Sequence, residues 1–172
     1  MAKVIGIDQS LTSTGIAVTE GGELVEVDTF KPRNLKGFER VQAISDMVLA
    51  RAEGADLVVI ESPIIYGGAS GRIPIIGLFG VLTQDLWRAG HSPLVVTSSV
   101  RCKYATGVGN ASKDQVLIAA VRRYQDERIT GNDTADAVIF AALGSRLLGE
   151  PLEESLPQAN LSVFDKIVLP HR

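Results

Sequence analysis

The stretch VIGIDQSLTSTGIAV, residues 4–18, decides how the rest of the chain is read. An apolar run of Val and Ile ends in an acid, Asp8. A short polar segment follows, and the chain then enters a second apolar run. Short apolar runs bounded by turn-forming residues predict strands, here over residues 3–8 and 14–19. A carboxylate at the end of the first strand either closes an Asx-turn or is held there for chemistry.

Working outward, a third strand is expected over residues 24–30, joined to the second by Gly21-Gly22, a strong hairpin signal. Residues 35–53 read as a helix with Phe38, Val41, Ile44, Val48 and Leu49 on one buried face. The run DLVVIE ends in Glu61 and has the continuous apolar character of a strand covered on both sides. A helix over residues 72–89, a short strand in PLVVTS and helices over 113–125 and 133–148 complete the pattern. The order βββαβαβαα predicts an α/β domain over residues 1–148. Its mixed five-stranded sheet has an antiparallel meander of strands 1–3, parallel strands 4 and 5, and flanking helices. Residues 149–172 contain three prolines and little periodicity, and read as a C-terminal tail leaving the domain.

At 172 residues, 45% of them hydrophobic, the chain can bury the core of one domain. No run approaches the roughly 18 apolar residues of a membrane span. The first strand begins too near Met1 for a signal peptide. A single cysteine, Cys102, excludes an internal disulfide and suits a reducing compartment. A cytoplasmic location is therefore expected. One Cys with only His91 and His171 does not make a zinc site, so a metal here would be a hard ion held by carboxylates. The formal charge is −3, but bases cluster: Lys31, Arg33, Lys36 and Arg40 in one stretch, and Arg101, Lys103, Lys113, Arg122, Arg123 and Arg128 in another. Such clusters are either solvated helix faces or a footprint for nucleic acid.

Four acids share an address. Asp8 and Glu61 each end a core strand at its C-terminal edge, where open α/β sheets collect ligands. Asp133 and Asp136, in TGNDTADAVIFAALG, are three apart in the first turn of a helix and share a face. Thr130 or Asn132 could cap that helix, and its alanines would let it sit close to the sheet. Each acid alone has an ordinary explanation as a turn former, helix-start acid or strand end. Together at one edge they would repel, unless divalent cations neutralise them. Two such ions could activate water for attack on a phosphodiester.

The stretches IGIDQSLTSTGIAV, VVIESP, GNASKDQV and NDTADAVIFAA, in this order, resemble RuvC-type Holliday junction resolvases, whose fold is RNase H-like. The resemblance covers roughly residues 3–148. It implies a metal-dependent endonuclease that resolves four-way junctions by paired symmetric nicks, using two Mg²⁺ or Mn²⁺ ions per site. By resemblance, Asp8 would bridge both metals, Glu61 and Asp136 would each hold one, and Asp133 would complete the site. Lys113 would act at the scissile phosphate. Arg101, Lys103, Lys113, Arg72 and Tyr66 would contact DNA. One departure stands out: the position usually aromatic, used to stack on junction bases, is Ile64, with Tyr66 two residues on in a Gly-rich loop. Tyr66 is either its substitute or an ordinary surface tyrosine. A broader branched-DNA or flap endonuclease, and a non-catalytic branched-DNA-binding module, are the neighbouring readings. An ATP-binding fragment of the actin and sugar-kinase type would need a second lobe.

Paired nicks call for a homodimer. The helix over 72–89 offers Ile75, Ile76, Leu78, Phe79, Leu82 and Trp87 either to such an interface or to the core. In the tail, Gln158, Leu161 and Phe164 have the spacing of a sliding-clamp-binding peptide, or else fold back on the domain.

Overall fold

The computed structural model describes residues 1–63 and 73–170. Its centre is β1 (Lys3–Asp8), where every residue from Val4 to Ile7 is buried. β2 (Thr14–Glu20) pairs antiparallel with β1, placing Asp8 opposite Gly15, and β3 (Glu23–Phe30) continues the meander. On the other side of β1, β4 (Leu57–Glu61) runs parallel, with Ile7 opposite Ile60, and β5 (Leu94–Val96) runs parallel to β4. The sheet order β3-β2-β1-β4-β5 is the expected mixed five-stranded sheet.

Successive strand residues face opposite sides, and two cores result. Val4, Ala17 and Val59 meet α5 (Asn132–Leu147) and its buried Val138 and Phe140. Ile5, Ile7, Ile16 and Ile60 meet α1 (Gly37–Ala52) and α2 (Ile73–Arg88) through Ile44, Val48, Leu78 and Leu82. Leu78 and Leu82 are thus core residues, the first of the two readings open for this helix being excluded for them. Only Ile76 and Trp87 of that predicted set are large exposed apolar side chains, with Trp87 at 69%.

α5 lies against β1 and β2 more closely than ordinary side chains allow. A Cβ at Gly6 would collide with the Ala137 carbonyl oxygen, and one at Gly15 with the Asp133 carbonyl oxygen. The bare strand backbone therefore receives the helix, and the small residues on α5 itself, Ala137 and Ala141, supply the other half of the contact. This close seat brings the first turn of α5 to the ends of β1 and β4.

Two parts of the chain differ from expectation. A helix, α3 (Ser98–Thr106), follows β5 directly, where the sequence shows no apolar period. Thr97 caps it by accepting the Val100 N–H at 3.4 Å, and Gly107, left-handed at φ 82°, ends it. α4 (Lys113–Tyr124) then begins with a reciprocal cap: Ser112 Oγ accepts from the Gln115 N–H, while Gln115 Oε1 accepts from the Ser112 N–H.

The segment after Leu148 does not leave the domain. Glu153 is buried and accepts hydrogen bonds from the Tyr104 hydroxyl at 3.1 Å and from the Tyr124 hydroxyl, with Arg146 Nη2 donating at 3.1 Å. The short helix α6 (Gln158–Leu161) packs on α3, where buried Asn160 donates to the Tyr104 carbonyl, and Val163 joins the core. Phe164 stands edge-on to Tyr104, with ring centroids 5.7 Å apart. Of the peptide with clamp-like spacing, Gln158 is exposed, while Leu161 and Phe164 are half-buried on the domain. The prolines limit regular structure here, but the buried partners of Glu153 and Asn160 hold the segment down.

Candidate active site

β1 and β4 are adjacent and parallel, so the residues that close them lie side by side at the C-terminal edge of the sheet: Asp8 and Glu61. Gln9, also buried, ties these ends together, its Nε2 donating to the Glu61 carbonyl at 2.7 Å. The loop between β1 and β2 is closed by Thr14, whose hydroxyl donates to the Ser10 carbonyl and accepts the Ser10 N–H. Sequence reasoning misses Gln9, which reads there as one more polar loop residue.

The closely seated α5 supplies the next two acids. Its start is not capped by Thr130 or Asn132, as the sequence suggests; the N-cap is Gly131. The Thr134 hydroxyl reaches back instead, accepting from the N–H groups of Thr130 and Gly131 at 3.1 Å each. Asp133 stands in this first turn and lines a cleft with Ser13, Thr29 and Lys31. Asp136, one turn on, is 1% exposed and faces Glu61 across a shared cation.

That cation is Arg101. Val96, the last residue of β5, is registered opposite Glu61, and α3 starts two residues later. The helix aims Arg101 inward, where it is 6% exposed. Its Nη1 donates to Asp136 Oδ2 at 2.7 Å and lies 3.2 Å from Glu61 Oε1. Arg101, expected among the DNA contacts, is therefore turned into the acid cluster rather than outward toward a ligand backbone. Lys103 is half-buried on the same helix. Lys113 is exposed at the first position of α4, and its positive charge acts on both Glu61 and Asp136. Ile64, Tyr66 and Arg72 fall outside the described residues.

The electrostatics follow from crowding acids in a dry place. Burial raises the Asp8 carboxyl well above its ordinary range, and the neighbouring charges of Asp136 and Glu61 push it further. Burial likewise raises Asp136 to about 6, against the opposing pull of Arg101. Glu61 is raised by burial too, while Arg101 and Lys113 draw it back. Burial is thus the first cause in all three, with Arg101 the chief opposing charge for Glu61 and Asp136.

An all-carboxylate donor set suits a hard divalent ion. Among the described residues no three His, Cys, Asp or Glu side chains already form a metal cage. Arg101 stands where Glu61 and Asp136 would otherwise converge. Acceptors remain to be satisfied: among the described residues Gln9 Oε1 and Asn132 Oδ1 are buried without a hydrogen-bond partner, and Glu61 Oε1 has the Arg101 ion pair but no hydrogen bond. Each belongs to, or lies next in sequence to, one of the four acids. Uncompensated oxygen atoms around raised carboxylates fit a cation-binding site.

No protein-family model matches the chain, and no curated protein matches it. Solved structures do. RuvC of Thermus thermophilus in complex with Holliday junction substrate matches at 20% identity and a TM-score of 0.70, over 87% of this chain and 98% of that one. A second Thermus thermophilus RuvC structure matches at 18% identity and a TM-score of 0.63, covering 86% and 97%. The Fowlpox virus resolvase, solved with its substrate Holliday junction DNA, matches at 13% identity and a TM-score of 0.56, covering 85% and 98%. The chain has the RuvC-like, RNase H-like fold over nearly the whole length of these proteins.

Proposed function

We propose that the protein is a metal-dependent, structure-selective DNA endonuclease that resolves Holliday junctions. One observation carries the reading: Asp8, Glu61 and Asp136, with Asp133 beside them, crowd the C-terminal edge of the sheet, where burial raises the carboxyls of the first three. The fold supports it, since two of the matched structures are of resolvases bound to junction DNA. Asp8, Glu61, Asp133 and Asp136 would hold two Mg²⁺ or Mn²⁺ ions. Bound there, such ions supply activation of a water and neutralisation of charge on the phosphodiester.

The chain's own residues do the positioning. Gln9 keeps the ends of β1 and β4 in register, and α5, seated on Gly6 and Gly15, keeps Asp136 against them. Lys113, at the capped start of α4, offers a positive charge at the mouth of the site for the developing phosphate charge. Lys103 and the bases of residues 31–40 would meet a DNA backbone, which is bound mainly through its phosphates. A homodimer would place two such sites for symmetric nicks, with Trp87 and Ile76 of α2 as its exposed apolar anchors. Ile64 in place of an aromatic favours a second reading, cleavage of a wider set of branched DNAs, because an aliphatic side chain has no π-face for stacking.

The test is cleavage of labelled four-way, three-way, flap and linear DNA in Mg²⁺ or Mn²⁺, beside Asp8→Asn. Paired symmetric nicks confined to the four-way junction, absent in the variant, are expected. Cutting of several branched forms would select the second reading. Junction binding without any metal-dependent cutting would overturn both in favour of a binding module.

A further inference from the structure

Nothing in the resolvase reading requires an arginine between two of the metal-binding acids. Arg101 is nonetheless there, on α3, reaching between Glu61 and Asp136 with one nitrogen. The same Nη1 serves both carboxylates, so its charge stands at two of the acids that would hold metal. The attachment is of a releasable kind. A guanidinium locked in place usually engages carboxylates through two parallel bonds. Here, among the described residues, Nε is buried without a partner, and Nη2 meets only Cys102 Sγ, at 3.8 Å. The side chain is therefore held at its tip, at the point a cation would contest.

We propose that Arg101 is the resident cation of this site: it occupies the seat between Glu61 and Asp136 in the metal-free protein, holds the carboxylates assembled there, and is displaced when a divalent ion binds. The inference rests on the nuclease reading, since it presupposes that these acids take a metal. It makes Arg101 a positioning residue that sets metal affinity. A purely structural ion pair would instead support the metal site and weaken it when removed.

The two roles predict opposite signs. The experiment is calorimetric titration of metal-free protein with Mn²⁺ at neutral pH, together with thermal melts with and without saturating Mn²⁺, on wild type, Arg101→Gln and Arg101→Lys. With the competing charge gone, Arg101→Gln should bind Mn²⁺ about tenfold more tightly or better, because one charge a few ångströms away is worth at least that in a partly buried site. Its metal-free melting temperature should fall, and its gain on adding Mn²⁺ should exceed the wild-type gain. Arg101→Lys keeps a charge but not the planar reach, and should lie between the two. Should Arg101→Gln unfold without metal, recovery of the fold in Mn²⁺ supports the proposal, and failure to recover at saturation overturns it. Unchanged or weaker Mn²⁺ binding by Arg101→Gln, with wild type binding normally, also overturns it and leaves the nuclease reading standing. If neither wild type nor Arg101→Gln binds Mn²⁺, the nuclease reading itself fails, and this proposal with it.

Discussion

Replacing Gly6 by alanine tests how the site is assembled, without touching a charged group. Gly6 is at the middle of β1, two residues before Asp8, under α5. The added methyl would collide with the Ala137 carbonyl oxygen and the Ala141 N–H, and would stand 2.9 Å from the Phe140 Cβ. Two of these three neighbours are helix backbone and cannot rotate away. Restoring ordinary carbon contact of about 3.5 Å requires α5 to retreat by about 1 Å. Overpacking of a filled core costs roughly 1–3 kcal/mol, and a clash with main chain belongs at the upper end. For a chain of this length, about 3 kcal/mol lowers the melting temperature by roughly 6–12 °C. The retreat also carries Asp133 and Asp136 away from Asp8, and a misplacement of reacting groups by about 1 Å can cost about a hundredfold in rate.

The assay is thermal and urea unfolding of Gly6→Ala beside Gly80→Ala, with junction cleavage measured on both. Gly80 lies in α2, where an added methyl would meet nothing within 4 Å, so the same chemical change there should stabilise by about 0.5–1 kcal/mol. Gly6→Ala should lose stability, and lose cleavage by more than its folded fraction explains. Wild-type stability in Gly6→Ala would refute the close seating of α5. Lost stability with cleavage unchanged per folded molecule would refute the link from that seating to the site.

Metal-free stability should fall as pH rises from about 4 to about 7. Folded Asp136 holds its proton up to about 6 against an ordinary 3.8, so its contribution is fully present below the unfolded value and lost as pH passes the folded one. That difference amounts to about 3 kcal/mol, and Asp8 and Glu61 shift in the same direction. Urea midpoints in chelator should therefore be higher at about pH 5 than at about pH 7.5; the reverse order would contradict the buried-acid account. Glu153→Ala leaves the hydroxyls of Tyr104 and Tyr124 and the Arg146 guanidinium without their shared acceptor. It should cost roughly 3–5 kcal/mol and open the chain after Leu148 to limited proteolysis. Lys113→Ala should slow cleavage more than it weakens junction binding, and should reduce the slope of log affinity against log salt by about one. Equal losses in rate and affinity would make Lys113 a simple phosphate contact.

What the sequence discloses and what it hides divide along a physical line. The strands are legible because their apolar runs are short, β-branched and bounded by turn residues such as Gly21-Gly22. The four acids are legible because each sits at an element's end, a position that can be reasoned without knowing how elements pack. α3 is hidden: SSVRCKYAT has no apolar stripe, and its helix depends on the Thr97 cap, the left-handed Gly107 and the burial of Tyr104 and Cys102. The fate of Glu153 is hidden for a similar reason. In GEPLEESLP it looks like one of several solvated acids, and only the fold brings Tyr104, 49 residues away, and Tyr124, 29 away, to its carboxylate. The same difficulty reverses the reading of Arg101. Among clustered bases it resembles a phosphate contact, since an outward direction is the default for arginine. Once α3 is recognised as a helix starting beside the residue registered against Glu61, the side chain has an inward path, and the buried acids give a reason to take it. Charge balance alone points the same way: four acids at one edge need a counter-charge, and divalent ions are only one source. The chain carries another source within itself, in Arg101 of α3, set between two of the acids.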